Sequence, residues 1–297
     1  MKFTSARQLK DWIKNKSKKI GTPANTLLQT YMMERLLERI SLSVYHDNMI
    51  LKGGFLIASM IGVDKRSTKD MDTTLLGLPV NRNEIEVIIK EIISIEINDG
   101  VSFKVLSIEN IHEEGEYDDF RIMLQAEFFT IREYMKIDIT VGDSIIPHQI
   151  SYPYKLLLEN RTIPVMAYNL YNILAEKIET ILSRNVANSR GRDFYDVYIL
   201  LLFNRATISR DELLRAIRLK SEERNTVTNI VNYNKHLDDI SVSPEIAKIW
   251  TAYVDNYPYA KGITLSDSIT LIKWVFKGLE NSCVTEIPKQ EIYISEN

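Results

Sequence analysis

The sequence predicts an α+β fold: a mixed sheet with helices, followed by a helical C-terminal region. Three observations carry this. Apolar residues alternate with polar ones in several stretches of the first half, they recur at three- and four-residue spacing through the second, and the change falls near Asn169. A strand-rich half followed by a helix-rich half favours α+β over a repeated βαβ plan. The expected domains are therefore 1–168, an α/β unit opened by helices, and 169–297, a helical unit.

In order along the chain, residues 5–18 and 25–45 read as helices. "LLQTYMMERLLERISLSVY" repeats its apolar residues at helical spacing with Glu and Arg between them. "NMILKGGFLIASMIG" gives a short apolar strand, a Gly-Gly break and a segment long enough for a buried helix. Asp70 to Leu76 reads as a strand, and "VNRNEIEVIIKEIISIEIN" as an amphipathic helix. "VSFKVLSIENI", "FRIMLQAEFFT" and "YMKIDITVG" read as strands; the last puts Ile137, Ile139 and Val141 on one face and Lys136, Asp138 and Thr140 on the other. Beyond Asn169, helices are expected in "NLYNILAEKIETILSR", "RDFYDVYILLLF", 209–224, 244–256 and 266–280.

Composition narrows the function classes. A hydrophobic share of 45% with 26% charged residues is that of a globular protein, and 11 Gly with 8 Pro leave little for flexible linkers. The single cysteine, Cys283, excludes an intramolecular disulfide and fits a reducing cytosol. The basic opening "MKFTSARQLKDWIKNKSKK" lacks an apolar stretch, and the longest apolar run, "VYILLLF" at 197–203, is too short to span a bilayer. A cytoplasmic location and no membrane partner are expected. Net charge is −3, so any nucleic-acid contact would rest on local positive charge. His46, His112, His148 and His236 are too scattered to suggest a zinc site.

The chemistry concentrates in three places. In "RSTKDMDTTLLG", Asp70 and Asp72 share one face of a strand while Met71 points opposite. The acid-x-acid spacing recurs at Glu84/Glu86 and Glu114/Glu116, so the spacing alone marks no site. Its company does. Gly53 and Gly54 stand upstream between strand and helix, where glycine lets backbone N–H groups approach a phosphate. Downstream, Asp138 sits within an apolar strand, where a lone aspartate is disfavoured without a partner. Three carboxylates beside a phosphate-cradling turn suit metal-assisted phosphoryl or nucleotidyl transfer, with Asp70, Asp72 and Asp138 as ligands of Mg²⁺ or Mn²⁺.

This order of motifs resembles the DNA polymerase β-type nucleotidyltransferase superfamily. More specifically, "ILKGGFLIASMIG", "RSTKDMDTTLLGLP", "KIDITVGD", "AEKIETILSR" and "RGRDFYDVY" are similar to those of the AbiEii/AbiGii nucleotidyltransferase toxins, the toxin half of bacterial abortive-infection and toxin–antitoxin pairs. The likeness runs from about residue 6 to about residue 205, and more weakly beyond. It implies that Asp70, Asp72, Asp138, Lys177 and Asp193 are catalytic. It also implies that Lys52, Gly53, Gly54, Thr68, Lys177 and Arg192 bind the nucleotide. In the family a lysine at the place of Lys177 contacts the nucleotide's phosphates, so Lys177→Ala is expected to spare stability. The family often has a second basic residue five positions on; here that residue is Leu182, with Arg184 the nearest cation. Arg66 and Lys69 either touch triphosphate or neutralise the aspartates, while Asp196, Tyr195 and Tyr198 read as packing residues.

The resemblance further implies an NTP substrate, an RNA acceptor with the tRNA 3′ end favoured, and a winged-helix antitoxin that need not form a stable complex. From Lys177 to Arg224 there are ten Lys/Arg against seven Asp/Glu, which leans towards RNA and a cleft with basic walls. The alternatives are a small-molecule nucleotidyltransferase of the antibiotic-modifying kind and a non-catalytic nucleotide-binding regulator. Retention of all three carboxylates argues against the last.

Overall fold

Seven strands form one mixed sheet in the computed structural model, which describes residues 3–78, 81–111 and 119–277. His112, Glu114, Glu116 and Cys283 lie outside the described residues. The chain divides into two compact units, Met1–Ile173 and Leu174–Asn297.

The first unit opens with α1 (Ala6–Ile20), capped by the Ser5 hydroxyl, and α2 (Ala24–Leu42). Strand β1 (Met49–Lys52) runs straight into α3 (Gly53–Ile61), and β2 (Asp70–Leu75) returns beside β1. Helix α4 (Arg82–Ser94) starts on a capping box between Asn81 and Glu84, so Glu84 serves the helix end rather than a site. Strands β3 (Val101–Ile111), β4 (Asp119–Phe128) and β5 (Ile131–Val141) form an antiparallel meander. A closing hairpin comprises β6 (Ile150–Lys155) and β7 (Thr162–Ala167). The spatial order is β3-β4-β5-β2-β1-β7-β6, with β5 parallel to β2 and β7 parallel to β1.

One face of the sheet is apolar. Met71, Ile137 and Ile122 are register partners and fully buried, while Asp70, Lys136, Asp138 and Arg121 occupy the opposite face. Helix α2 departs from its amphipathic reading, because Glu34, Arg35, Glu38 and Arg39 are all buried. The charges of Arg35, Glu38 and Arg39 are paired within the unit, whereas the Glu34 carboxyl accepts from the Leu157 N–H and the Tyr154 hydroxyl. Arg39 forks onto Asp99 at 2.8 and 3.0 Å and donates to the Val101 carbonyl, while Arg161 forks onto Glu38 and Arg35 reaches Glu159 at 2.9 Å. Charges paired in this way tolerate burial that single charges would not.

The second unit is helical. It continues α5 (Leu170–Arg184) through a 3₁₀ turn into α6 (Gly191–Asn204) and α7 (Arg210–Glu223). The helices α8 (Val227–Val231), α9 (Tyr233–Val242), α10 (Pro244–Asn256) and α11 (Leu265–Phe276) complete it. Among the described residues, no helix is long and apolar enough to cross a membrane.

Candidate active site

A single row of side chains crosses four strands on the polar face. Arg121 of β4 is the register partner of Asp138 on β5, Asp138 that of Asp72 on β2, and Asp72 that of Lys52 on β1. Asp70 lies two residues before Asp72 and opposite Lys136. Directly paired residues project from the same side of a sheet, so the topology brings all three aspartates to one face although 68 positions separate the outer two.

The glycine turn abuts this row. Gly53 has φ +66°, a left-handed conformation that glycine adopts without strain, and a Cβ there would stand 2.0 Å from the Asp72 carboxylate. The Gly54 N–H donates to Asp72 Oδ2 at 3.4 Å, so this donor of the turn meets a carboxylate of the site itself. Arg66 is buried, donates to the Ser67 carbonyl, and with Thr68 packs against Gly54. Lys69 is exposed, and its carbonyl accepts from Gln29.

Asp70 and Asp138 are held by cations of the chain itself, and the two that do so, Arg121 and Lys136, are not the Arg66 and Lys69 that the sequence reading weighed for that role. Arg121 grips Asp138 with Nε and Nη2, both at 2.9 Å, which raises the guanidinium pKa further. Lys136 Nζ lies 2.9 Å from Asp70 and 3.7 Å from Asp138. Lys52, expected at the nucleotide, turns its ammonium to Asp143 at 2.5 Å and Thr140 at 2.7 Å. Asp143 also accepts from Thr74 and Tyr168, and so anchors the sheet beside the site. Sequence reading missed Arg121, Lys136 and Asp143. The period-two pattern that placed Asp138 also put Lys136 on its face, whereas nothing local to Arg121 or Asp143 signals their partners.

For a divalent cation, the donors are of the right kind: hard carboxylate oxygens on one face, two of them in direct register. Among the described residues no three acidic, His or Cys side chains stand close enough together to share an ion, and Asp70 and Asp138 are turned to Lys136 and Arg121 instead. The donors' chemistry thus suits a divalent cation, while their present arrangement does not gather the three around one point.

The other expected residues gather in the second unit. Lys177 on α5 lies 2.6 Å from Asp193 and 3.2 Å from Asp196, both buried on α6. Asp193 does more than complement the helix dipole. Its Oδ1 takes the lysine, and its buried Oδ2 has no hydrogen-bond partner. Gly191 lets this helix start against Tyr253, whose Cβ a glycine Cβ would meet at 2.8 Å. Arg184, Arg190 and Arg192 are exposed around the turn. Leu182, where a second cation was sought, is fully buried. Tyr195 is buried and packs on Tyr253 and Tyr259, as read, while Asp196 contributes an ion pair rather than packing alone.

The sequence model of the family described as "Nucleotidyl transferase AbiEii toxin, Type IV TA system" matches residues 35–278. No curated protein matches at a significant level. Among solved structures, a candidate nucleotidyltransferase from H. pylori superposes with a TM-score of 0.50 at 14% identity, over 86% of this chain and 96% of that one. JHP933 from Helicobacter pylori gives 0.48 at 15% identity, over 86% and 93%. An antigenic nucleotidyltransferase-like protein from Paracoccidioides brasiliensis gives 0.37 at 13%, over 66% and 90%. At such identities the first of these likenesses speaks to the fold alone.

Proposed function

This chain belongs to the AbiEii nucleotidyl transferase toxin family, and on that premise we propose that it transfers a nucleotidyl group from an NTP to RNA, at the 3′ end of tRNA. The observation that carries the reading is the shared face of Asp70, Asp72 and Asp138 against the Gly53–Gly54 turn. The acceptor's 3′ oxygen bonds to the α-phosphorus, the bond to the bridging oxygen breaks, and pyrophosphate leaves. Asp70, Asp72 and Asp138 would hold Mg²⁺, which when bound would supply Lewis-acid stabilisation of the phosphoryl charge.

The chain's own residues do the rest. Asp138, oriented by the Arg121 fork, receives the proton of the attacking hydroxyl. Lys177 offers compact positive charge to the triphosphate, its ammonium positioned by Asp193 and Asp196, with Arg192 a further phosphate contact. An unpaired 3′ terminus is the acceptor because it presents a free hydroxyl and is not constrained in a duplex. Blocking it stops aminoacylation, so growth arrest in the cytosol, abortive infection and control by a co-encoded winged-helix antitoxin complete the reading. The test is pyrophosphate release. Purified protein with Mg²⁺ and NTPs should release it when tRNA is added, and release with NTP alone or with small-molecule acceptors only would overturn the RNA assignment.

A further inference from the structure

Lys136 occupies the position that a shared cation would take. Its ammonium bridges Asp70 at 2.9 Å and Asp138 at 3.7 Å, on the face carrying all three aspartates. The side chain is under a third exposed, so it is neither locked in the core nor free in solvent. Arg121 is committed to Asp138 through two parallel bonds, whereas Lys136 holds Asp70 through one contact on a flexible stem. Asp70 and Asp138 are therefore held by one firm cation and one displaceable one.

Charge counting gives this a consequence. Glu109, the register partner of Arg121, joins the three aspartates. Against these four carboxylates stand Lys136, Arg121 and Arg66, the last buried beside the Gly53–Gly54 turn. One net negative charge is left, too little to draw a bare divalent cation strongly. Lys52 does not alter the count, because Asp143 beside it neutralises it. A metal ion arriving with a nucleotide triphosphate brings its own negative charge, and the phosphates offer the displaced ammonium a new partner.

We propose that Lys136 is an internal counter-cation that competes with the divalent metal for Asp70 and Asp138, and so makes metal binding depend on nucleotide. The proposal rests on the reading of this face as a metal site. In the nucleotide-free protein the lysine keeps the aspartates from repelling one another. When the metal–nucleotide complex binds, the ammonium leaves Asp70 and a carboxylate oxygen is released to the metal.

The experiment is Mn²⁺ binding, followed by electron paramagnetic resonance and calorimetry, to wild type, Lys136→Met and Lys136→Gln. Each is measured with and without a non-hydrolysable NTP analogue. Wild type should bind Mn²⁺ weakly alone and much more tightly with the analogue. Either variant should bind Mn²⁺ alone at least about tenfold more tightly than wild type, because the competing ammonium on Asp70 and Asp138 is gone. The variants should also melt lower than wild type without metal and recover with Mn²⁺, while Lys136→Met combined with Asp70→Asn should show little recovery. Equal Mn²⁺ affinity of wild type and both variants in the absence of nucleotide overturns the competition. If no form binds Mn²⁺ even with the analogue, the metal reading itself falls and this proposal with it. The two failures are thus distinct.

Discussion

Lys177 Nζ stands 2.6 Å from Oδ1 of Asp193, whose side chain is 3% exposed, and Asp196 closes on the same ammonium from one turn further along α6. Two buried carboxylates thus share one lysine. The sequence reading expected Lys177→Ala to spare stability, and this geometry reverses that. Removing one partner of a buried ion pair typically costs about 3–5 kcal/mol. Lys177→Ala should therefore lower the denaturation midpoint clearly as well as weaken NTP binding. A melting temperature equal to wild type would contradict the pairing.

Asp72→Asn should leave the fold intact while abolishing growth inhibition. An asparagine oxygen still accepts from the Gly54 N–H, so the stability change should stay within about 1 kcal/mol. Asp138→Asn should behave differently, because it breaks the two-bonded contact with Arg121. Its loss should exceed that of Asp72→Asn, by about 1 kcal/mol at most for a pair this exposed. Paired urea titrations decide the order.

Gly53→Ala tests the turn. The substitution forces a left-handed φ on a residue with a Cβ, at about 1–2 kcal/mol, and drives that Cβ into Asp72. The expected result is a folded but destabilised protein with no transfer activity. Wild-type activity in Gly53→Ala would remove the turn from the site.

Glu34 makes stability pH-dependent. Burial pushes its carboxyl up to about 8, against the Leu157 N–H, Arg35 and the Tyr154 hydroxyl, which pull the other way. Since the folded pKa lies above the unfolded value, the folded state holds a proton that the unfolded chain gives up. The stabilisation is therefore full below about pH 4.5 and declines as pH rises towards 8. Glu34→Gln imitates the neutral acid, so its stability relative to wild type should rise by about a few kcal/mol across that range. A pH-independent difference would show that Glu34 is charged throughout.

Most of the sheet could be read from period-two patterning, and the helices of the second half from their apolar spacing. The β6–β7 hairpin escaped because Pro153 and Pro164, paired across it, depress strand propensity. The short helices α8 and α9 escaped because neither is long enough to display a periodicity. On α2, Glu and Arg stand between the apolar residues, and nothing local marks them as buried. Only their distant partners Asp99, Glu159 and Arg161 explain why they are buried. The same limit applies at the site. Asp70, Asp72 and Asp138 were visible as a pattern, but that Arg121 and Lys136 hold them depends on strand register, which pairs residues far apart in sequence.

The central claim is nucleotidyl transfer to RNA from the Asp70–Asp72–Asp138 face. Its most direct test incubates wild type and Asp72→Asn with Mg²⁺, each labelled NTP in turn, and total cellular RNA. Wild type should place label on tRNA, the label should vanish when the 3′ hydroxyl is oxidised beforehand, and Asp72→Asn should transfer none. RNA left unlabelled by all four nucleotides, or equal labelling by the Asp72→Asn variant, would contradict the account.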